Sequence, residues 1–125
     1  MDHANRPSER RAAARYALHL KGRGAVLYRQ LPGGEDFEIR CLNISVGGLM
    51  VALDPEARAG DVLRVTLIGP AYIPVTFECT IQWLRRNTAD VLGRFLGGLA
   101  FRQADPAVVE TLLDHARRTS PTPEP

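Results

Sequence analysis

Two short polar stretches carry the residue types best suited to binding a ligand. The first contains Arg10, Arg11 and Arg15, and the second is the run NISVGG at positions 43–48. The guanidinium group is always charged and planar, and its forked donors match phosphate oxygens and the O6/N7 edge of guanine. Three arginines within six residues can therefore grip a guanine nucleotide by both its phosphate and its base.

The second stretch offers complementary groups. Asn43 can bond the other polar edge of the base, and Ser45 can donate to phosphate or base. Gly47 and Gly48 allow positive φ and let a ligand come close to bare backbone. Each stretch also has a plainer interpretation: the second is a simple hairpin turn, and the arginines are a solvated arm.

Strand-like runs surround the turn and must position it. Residues 37–42 lead into it and residues 49–53 leave it. The clearest period-two pattern lies within residues 73–86, and it predicts a core-facing set of Val75, Phe77, Cys79, Ile81 and Trp83. Further strand candidates fall at 16–20, 24–31, 62–68 and 95–101. Many short strands at close spacing indicate an all-β barrel or sandwich.

The end of the chain has a different pattern. Asp105 is a predicted helix N-cap and Pro106 occupies the first helical position. The helical spacing of four apolar residues predicts one buried face: Val109, Leu112, Leu113 and Ala116. Residues 119–125 are rich in proline and are expected to be a disordered tail, and residues 1–9 are expected to be a flexible N-terminal arm.

Size and composition predict one ordinary globular domain. The chain has 125 residues, of which 45% are hydrophobic and 24% charged. No apolar run approaches the roughly 20 residues that span a bilayer, and the N-terminus does not resemble a signal peptide, so a cytoplasmic protein is expected. Cys41 and Cys79 lie in apolar runs and are expected to be buried thiols. Residues 1–23 hold six Lys or Arg against two acidic residues, which favours an anionic partner for this segment.

The sequence contains no recognisable catalytic or metal site. His3, His19 and His115 have no shared spacing that would build a metal centre. The Gly-x-Ser-x-Gly pattern of a nucleophile elbow and the glycine-rich phosphate loops are absent. The prediction is a binding protein, with no catalytic residue, no metal and no cofactor.

Together, the two stretches resemble the signature of the PilZ domain. An Arg-x-x-x-Arg motif stands at 11–15, with Arg10 before it, and Asn-x-Ser-x-x-Gly stands at 43–48. The resemblance implies a PilZ domain over residues 10–118, built as a six-stranded antiparallel β-barrel with one C-terminal α-helix. It also implies a bacterial receptor for the ligand cyclic di-GMP, acting in nucleotide signalling.

The resemblance assigns the ligand-binding set as Arg10, Arg11, Arg15, Asn43, Ser45, Gly47 and Gly48. It implies that the arginines contact phosphates and guanine edges, and that Gly48 keeps the surface open. A downstream effector protein, still to be identified, would relay the signal to motility, surface attachment or exopolysaccharide control. Two alternatives stay open, a single-stranded nucleic-acid-binding β-barrel and a PilZ-like scaffold that binds only protein. A nucleic-acid partner is disfavoured because few aromatic residues look exposed.

Overall fold

The chain folds into six β-strands followed by one α-helix, in a computed structural model that describes residues 14–27, 36–54, 57–89 and 93–125. The strands are β1 (Tyr16–Val26), β2 (Phe37–Ser45), β3 (Gly48–Leu53), β4 (Val62–Ile68), β5 (Pro74–Arg86) and β6 (Phe95–Gln103). A short 3-10 helix, Pro70–Tyr72, separates β4 from β5, and helix α1 (Pro106–Thr119) follows β6. Neither helix in these ranges has the length and apolar character needed to cross a membrane.

The six strands close into an antiparallel barrel in the order β1-β2-β3-β6-β5-β4. Closure matters because it leaves no unpaired sheet edge that would recruit another strand. β3 is the shortest strand and lies between β2 and β6, so Ser45, Gly48 and Ala100 occupy neighbouring positions on three strands. The architecture confirms the predicted fold class, an all-β six-stranded barrel with one C-terminal helix.

Strand β5 confirms most of the period-two prediction. Phe77, Cys79 and Ile81 are all at most 1% exposed and belong to the central core. Trp83 differs, because the register of β5 against β6 shifts between Ile81 and Trp83. An extra residue in one strand re-aims the side chains that follow it. Trp83 is therefore only half-buried and lies outside the core in which the alternation placed it.

Both cysteines are free thiols in the core, as predicted. Burial raises the pKa of the Cys41 thiol to about 12, and it has the same effect on the pKa of Cys79, also to about 12. Removing a thiolate from water is unfavourable, so the neutral form persists well above the usual pKa. Both side chains act as small apolar groups at neutral pH.

One long strand replaces two that the sequence predicted. β1 runs from Tyr16 to Val26, across Gly22 and Gly24 and the gap between the predicted strands at 16–20 and 24–31. The glycines are needed for close packing, since a Cβ on Gly22 would collide with the carbonyl oxygen of Thr66 on β4. Residues 28–31 of the second predicted strand lie outside the described ranges.

Helix α1 has the start and the buried face that the sequence predicts. The Asp105 side chain accepts a hydrogen bond of 2.9 Å from the Ala107 N–H, and Pro106 follows the cap. The buried residues of the helix are the predicted four, Val109, Leu112, Leu113 and Ala116. The helix packs on β1 and β2, and its last turn lies near the start of β1. There the Arg117 guanidinium carbon lies 5.4 Å from the centre of the Tyr16 ring.

Candidate ligand-binding site

The turn between β2 and β3 is fixed on both of its sides. The Gly47 N–H donates a 3.2 Å hydrogen bond to the Ser45 hydroxyl oxygen, which closes the turn on itself. The Gly47 carbonyl accepts a 2.9 Å hydrogen bond from the Phe101 N–H of β6. Short polar side chains favour such local bonds to backbone. The turn is thereby held in one place against the barrel wall.

The two glycines of the turn have different structural roles. Neither adopts the positive φ that glycine allows; Gly60 is the glycine in the described ranges that does. A Cβ on Gly48 would collide with the Leu99 carbonyl oxygen, so this glycine allows β3 and β6 to approach. Gly47 has no atom within 4 Å of the position of a Cβ and faces open space. Gly47, more than Gly48, leaves the surface open.

A cavity of about 460 Å³ lies beside this turn. Its walls come from the segment before β1, the turn, and the neighbouring parts of β5 and β6. The lining residues are Arg15, Ser45, Gly47, Gly48, Gln82, Trp83, Gly98, Leu99 and Ala100. This volume falls in the range of about 300–1,000 Å³ that is typical of small-molecule sites. Its wall offers one guanidinium, one hydroxyl, one amide and one indole.

Trp83 supplies the aromatic part of the wall. It stands opposite Gly98 in the β5–β6 pairing, and a Cβ on Gly98 would collide with the indole ring. The ring therefore occupies the space that Gly98 leaves free. The Arg85 guanidinium carbon lies 5.2 Å from the ring centre, a distance suited to a cation–π contact. The sequence analysis did not predict that Trp83 and Gln82 line a cavity. The signal for it in the sequence was the glycine pair at 97 and 98, since the Trp83 ring packs in the space beside Gly98.

Asn43 is buried on β2, two residues before Ser45, and it contacts Glu124 near the C-terminus. Its side chain is 5% exposed and lies on β2, opposite Ala17 of β1. The amide nitrogen donates a 2.8 Å hydrogen bond to the Glu124 carboxylate and lies 3.4 Å from the Met50 sulfur. The Asn43 Oδ1 is buried and has no hydrogen-bond partner among the residues that the structure describes. The amide is thus half satisfied.

The family follows from a comparison with protein-family models. The model of the PilZ domain matches residues 9–118. The chain belongs to the PilZ domain family. The match covers the whole barrel and nearly all of α1, and it leaves the last seven residues, 119–125, outside.

Solved structures with the PilZ fold resemble the chain at low sequence identity. The Bacillus subtilis inhibitor of motility, MotI/DgrA, aligns with a TM-score of 0.67 and 16% identity over 85% of this chain and 49% of its own. The PilZ domain of YcgR from Escherichia coli, solved with c-di-GMP, gives 0.58 and 13% over 84% and 92%. MrkH, described as a c-di-GMP-dependent transcription regulatory factor, gives 0.59 and 14% over 81% and 48%. The chain thus spans about half the length of MotI/DgrA and MrkH. A search of curated proteins finds no match.

Four of the seven predicted site residues in this PilZ domain line the cavity: Arg15, Ser45, Gly47 and Gly48. Asn43 is close in the strand register, one position beyond the Tyr16–Ile44 pair, but its amide faces Glu124. Arg10 and Arg11 lie outside the described residues, as does the predicted arm at 1–9. The disorder expected for residues 119–125 stays a prediction, and Glu124 of that segment makes two hydrogen bonds to the domain.

A second cavity in the PilZ domain has a different character. It measures about 230 Å³ and lies between the 3-10 helix and α1, where Pro70, Ile73, Val108 and Leu112 form most of an apolar wall. No charged side chain lines it, so it offers nothing that would bind a phosphate. Within the described ranges, no three His, Cys, Asp or Glu side chains group as metal ligands. Of these two cavities, the polar one beside the turn is the better candidate for an anionic ligand.

Proposed function

We propose that this PilZ domain is a bacterial receptor for cyclic di-GMP and binds it in the cavity beside the β2–β3 turn. The observation that carries the proposal is the meeting of Arg15, Ser45 and Gly47 at one open cavity. These residues belong to two motifs that are separated by 27 residues in the sequence, from Arg15 to Asn43. Their meeting supports a shared role in binding. The YcgR PilZ domain with c-di-GMP and the c-di-GMP-dependent MrkH support the choice of ligand.

Each wall group of the cavity has a part in this proposal. Arg15 binds a phosphate or a guanine edge through its forked donors. The Ser45 hydroxyl donates a further hydrogen bond, and Gly47 lets the ligand approach the turn backbone. Trp83 offers a flat face on which a guanine stacks, with a gain of about 1–3 kcal/mol per base in comparable sites. Arg10 and Arg11 extend the positive charge along the segment before Arg15.

The Asn43 amide is suited to the base itself. It has one acceptor and two donors, and the Watson–Crick edge of guanine carries both donors and an acceptor. A guanine at this amide would satisfy Oδ1 and Nδ2 together. The complete proposed set is Arg10, Arg11, Arg15, Asn43, Ser45, Gly47, Gly48 and Trp83. All of these groups bind and position; none is assigned a chemical step.

The signal passes from the domain to an effector protein in this proposal. The bound ligand brings phosphates and bases to the surface at Arg15 and so changes the shape and charge that a partner meets. Control of motility, surface attachment or exopolysaccharide production is the proposed process. MotI/DgrA, described as an inhibitor of motility, is a PilZ-fold neighbour that supports motility among these processes.

Isothermal titration calorimetry tests the proposal directly. Purified protein is titrated with cyclic di-GMP, GMP, GTP and a short single-stranded DNA. We expect the tightest binding for cyclic di-GMP, because only this ligand offers two guanines on one compact ring that is closed by two phosphodiester groups. Equal or tighter binding of the DNA would overturn the receptor function in favour of a nucleic-acid-binding barrel. The same titration gives the number of ligands bound by each chain.

A further inference from the structure

The C-terminal segment returns to the candidate site. Helix α1 ends at Thr119, and the Ser120 N–H closes its last turn with a 2.8 Å hydrogen bond to the Ala116 carbonyl. The chain then continues to Glu124, whose N–H donates a 2.8 Å hydrogen bond to the Arg15 carbonyl. The Glu124 carboxylate accepts the 2.8 Å hydrogen bond from Asn43. One residue therefore contacts both motifs of the predicted site.

We propose that residues 121–125 act as an internal competitor of the ligand, with Glu124 occupying the Asn43 amide. This inference rests on the proposed function and concerns its regulation. The segment lies beyond residue 118, where the PilZ family match ends, so the contact belongs to a part of the chain outside the family model. Its backbone bond to Arg15 and its side-chain bond to Asn43 place the segment where the ligand is proposed to bind.

The ligand can displace Glu124 from Asn43, because Glu124 satisfies only part of the Asn43 amide. An ionised carboxylate only accepts hydrogen bonds, so Glu124 satisfies the Asn43 Nδ2 and leaves Oδ1 without a partner. A guanine edge supplies a donor as well as an acceptor and would satisfy both atoms. The ligand phosphates also repel the Glu124 carboxylate. Ligand and segment are therefore mutually exclusive at Asn43.

The short link between Ser120 and Glu124 favours competition with the ligand. Glu124 is four residues beyond Ser120, and Ser120 is fixed to the end of α1. A short tether keeps a group at high effective concentration near its site. A segment that is bound about 90% of the time would weaken the apparent affinity for the ligand about tenfold. Release of the segment is then part of the response to the ligand.

Three variants distinguish the effect of the Glu124–Asn43 contact from the effect of the Glu124 charge. Glu124→Ala removes the acceptor, and a chain ending at Ser120 removes the whole segment while keeping the last turn of α1. Glu124→Gln loses the charge but keeps a carbonyl acceptor, and its N–H group can reach the unpaired Oδ1. Glu38→Ala is the matched control, because Glu38 is exposed near the far end of β2 from Asn43.

Calorimetry with cyclic di-GMP gives the first result. We expect Glu124→Ala and the shortened chain to bind about three- to thirtyfold more tightly than the wild type, in proportion to the fraction of wild type that is closed. Glu124→Gln should stay closer to the wild type, and Glu38→Ala should match it. Equal gains for Glu124→Ala and Glu124→Gln would still support the competition and would show that it depends on the charge of Glu124.

Nitrogen-15 relaxation of the full-length protein gives the second result and needs no variant. The Glu124 amide should be ordered without ligand and should fall below an order parameter of about 0.6 when cyclic di-GMP saturates the protein. A mobile Glu124 in the free protein would overturn the inference. Equal affinities of the wild type, Glu124→Ala and the shortened chain would overturn it while leaving the receptor function standing. Absence of binding by all of them would overturn the receptor function and the competition together.

Discussion

Arg15 is the residue at which the two motifs of the site meet. It is exposed, it precedes β1, and its side chain lines the cavity with Ser45. Its carbonyl is engaged by Glu124, so its backbone position is fixed while its guanidinium stays accessible. An exposed arginine at the edge of a cavity contributes little to folding and much to the capture of an anion.

Arg15→Ala should weaken cyclic di-GMP binding and leave the fold intact. Loss of a charge-assisted hydrogen bond to phosphate costs about 1.5–3 kcal/mol, or about 10- to 150-fold in affinity. Arg11→Ala should have the same effect, and Arg15→Lys should restore only part of the loss, because lysine lacks the planar fork. Calorimetry gives the affinity and thermal unfolding gives the stability.

Arg64→Ala is the control for that prediction. Arg64 is exposed on β4, a strand that contributes no residue to the lining of the cavity, so the same loss of charge should leave affinity unchanged. If Arg15→Ala unfolded the domain and the remaining folded protein bound cyclic di-GMP with unchanged affinity, the arginine segment would have a structural role and not a binding role.

Gly47 and Gly48 form a matched pair for a second prediction. Gly48→Ala should destabilise the domain by about 1–3 kcal/mol or more, because its Cβ meets the backbone of Leu99, which has no room to move. Gly47→Ala should change the unfolding free energy by less than about 0.5 kcal/mol, since its Cβ enters open space. Chemical denaturation measures both, and equal losses would contradict the roles assigned to the two positions.

At the residue scale, type and spacing predicted which groups to examine but not how they are used. Arg15 and Ser45 reach the cavity, as the properties of guanidinium and hydroxyl groups led us to expect. The Asn43 amide bonds to Glu124, which is 81 positions away in the sequence, and no local pattern records such a contact. The role of Gly48 depends on the distance between β3 and β6, which only the folded barrel defines.

At the scale of elements, β5 shows where periodicity succeeds and where it fails. The alternation predicted Phe77, Cys79 and Ile81 correctly because both sides of a regular strand keep a strict period of two. The bulge after Ile81 breaks that period and turns Trp83 toward the cavity. A bulge arises from the pairing with a second strand, so a pattern within one strand does not reveal it.

Phe77→Ala should mainly reduce stability, whereas Trp83→Ala should mainly reduce ligand binding. Phe77 is buried in the core and contacts the Phe101 ring, with 5.1 Å between ring centres, so its truncation should cost about 3–5 kcal/mol of stability. Trp83 is half-buried, so its truncation should cost less stability and should weaken cyclic di-GMP binding by the loss of a stacking face. Urea denaturation and calorimetry measure the two effects. A Phe77→Ala loss below about 1 kcal/mol would show that the assigned register is wrong.

At the scale of the whole molecule, barrel closure and the helix bring distant segments together. The order β1-β2-β3-β6-β5-β4 places the turn after β2 beside β6, and β5 follows β6. Residues as far apart in sequence as Ser45 and Ala100 therefore line one cavity. Local periodicity predicted the amphipathic helix and seven strand candidates, two of which form the single strand β1, and the count of six strands was implied by the resemblance to the PilZ domain. It did not predict the strand order or the return of the last residues to Asn43, which depend on how α1 packs on β1 and β2.

The proposed binding of cyclic di-GMP in the cavity formed by Arg15, Ser45 and Trp83 can be followed through the fluorescence of Trp83. Trp83 is the single tryptophan of the chain, so its emission reports on this one cavity. Titration with cyclic di-GMP should give a saturable change in emission with the same dissociation constant as calorimetry. Arg15→Ala should move the midpoint to higher ligand concentration. Calorimetric binding of cyclic di-GMP with no change in Trp83 emission would contradict the assignment of the site.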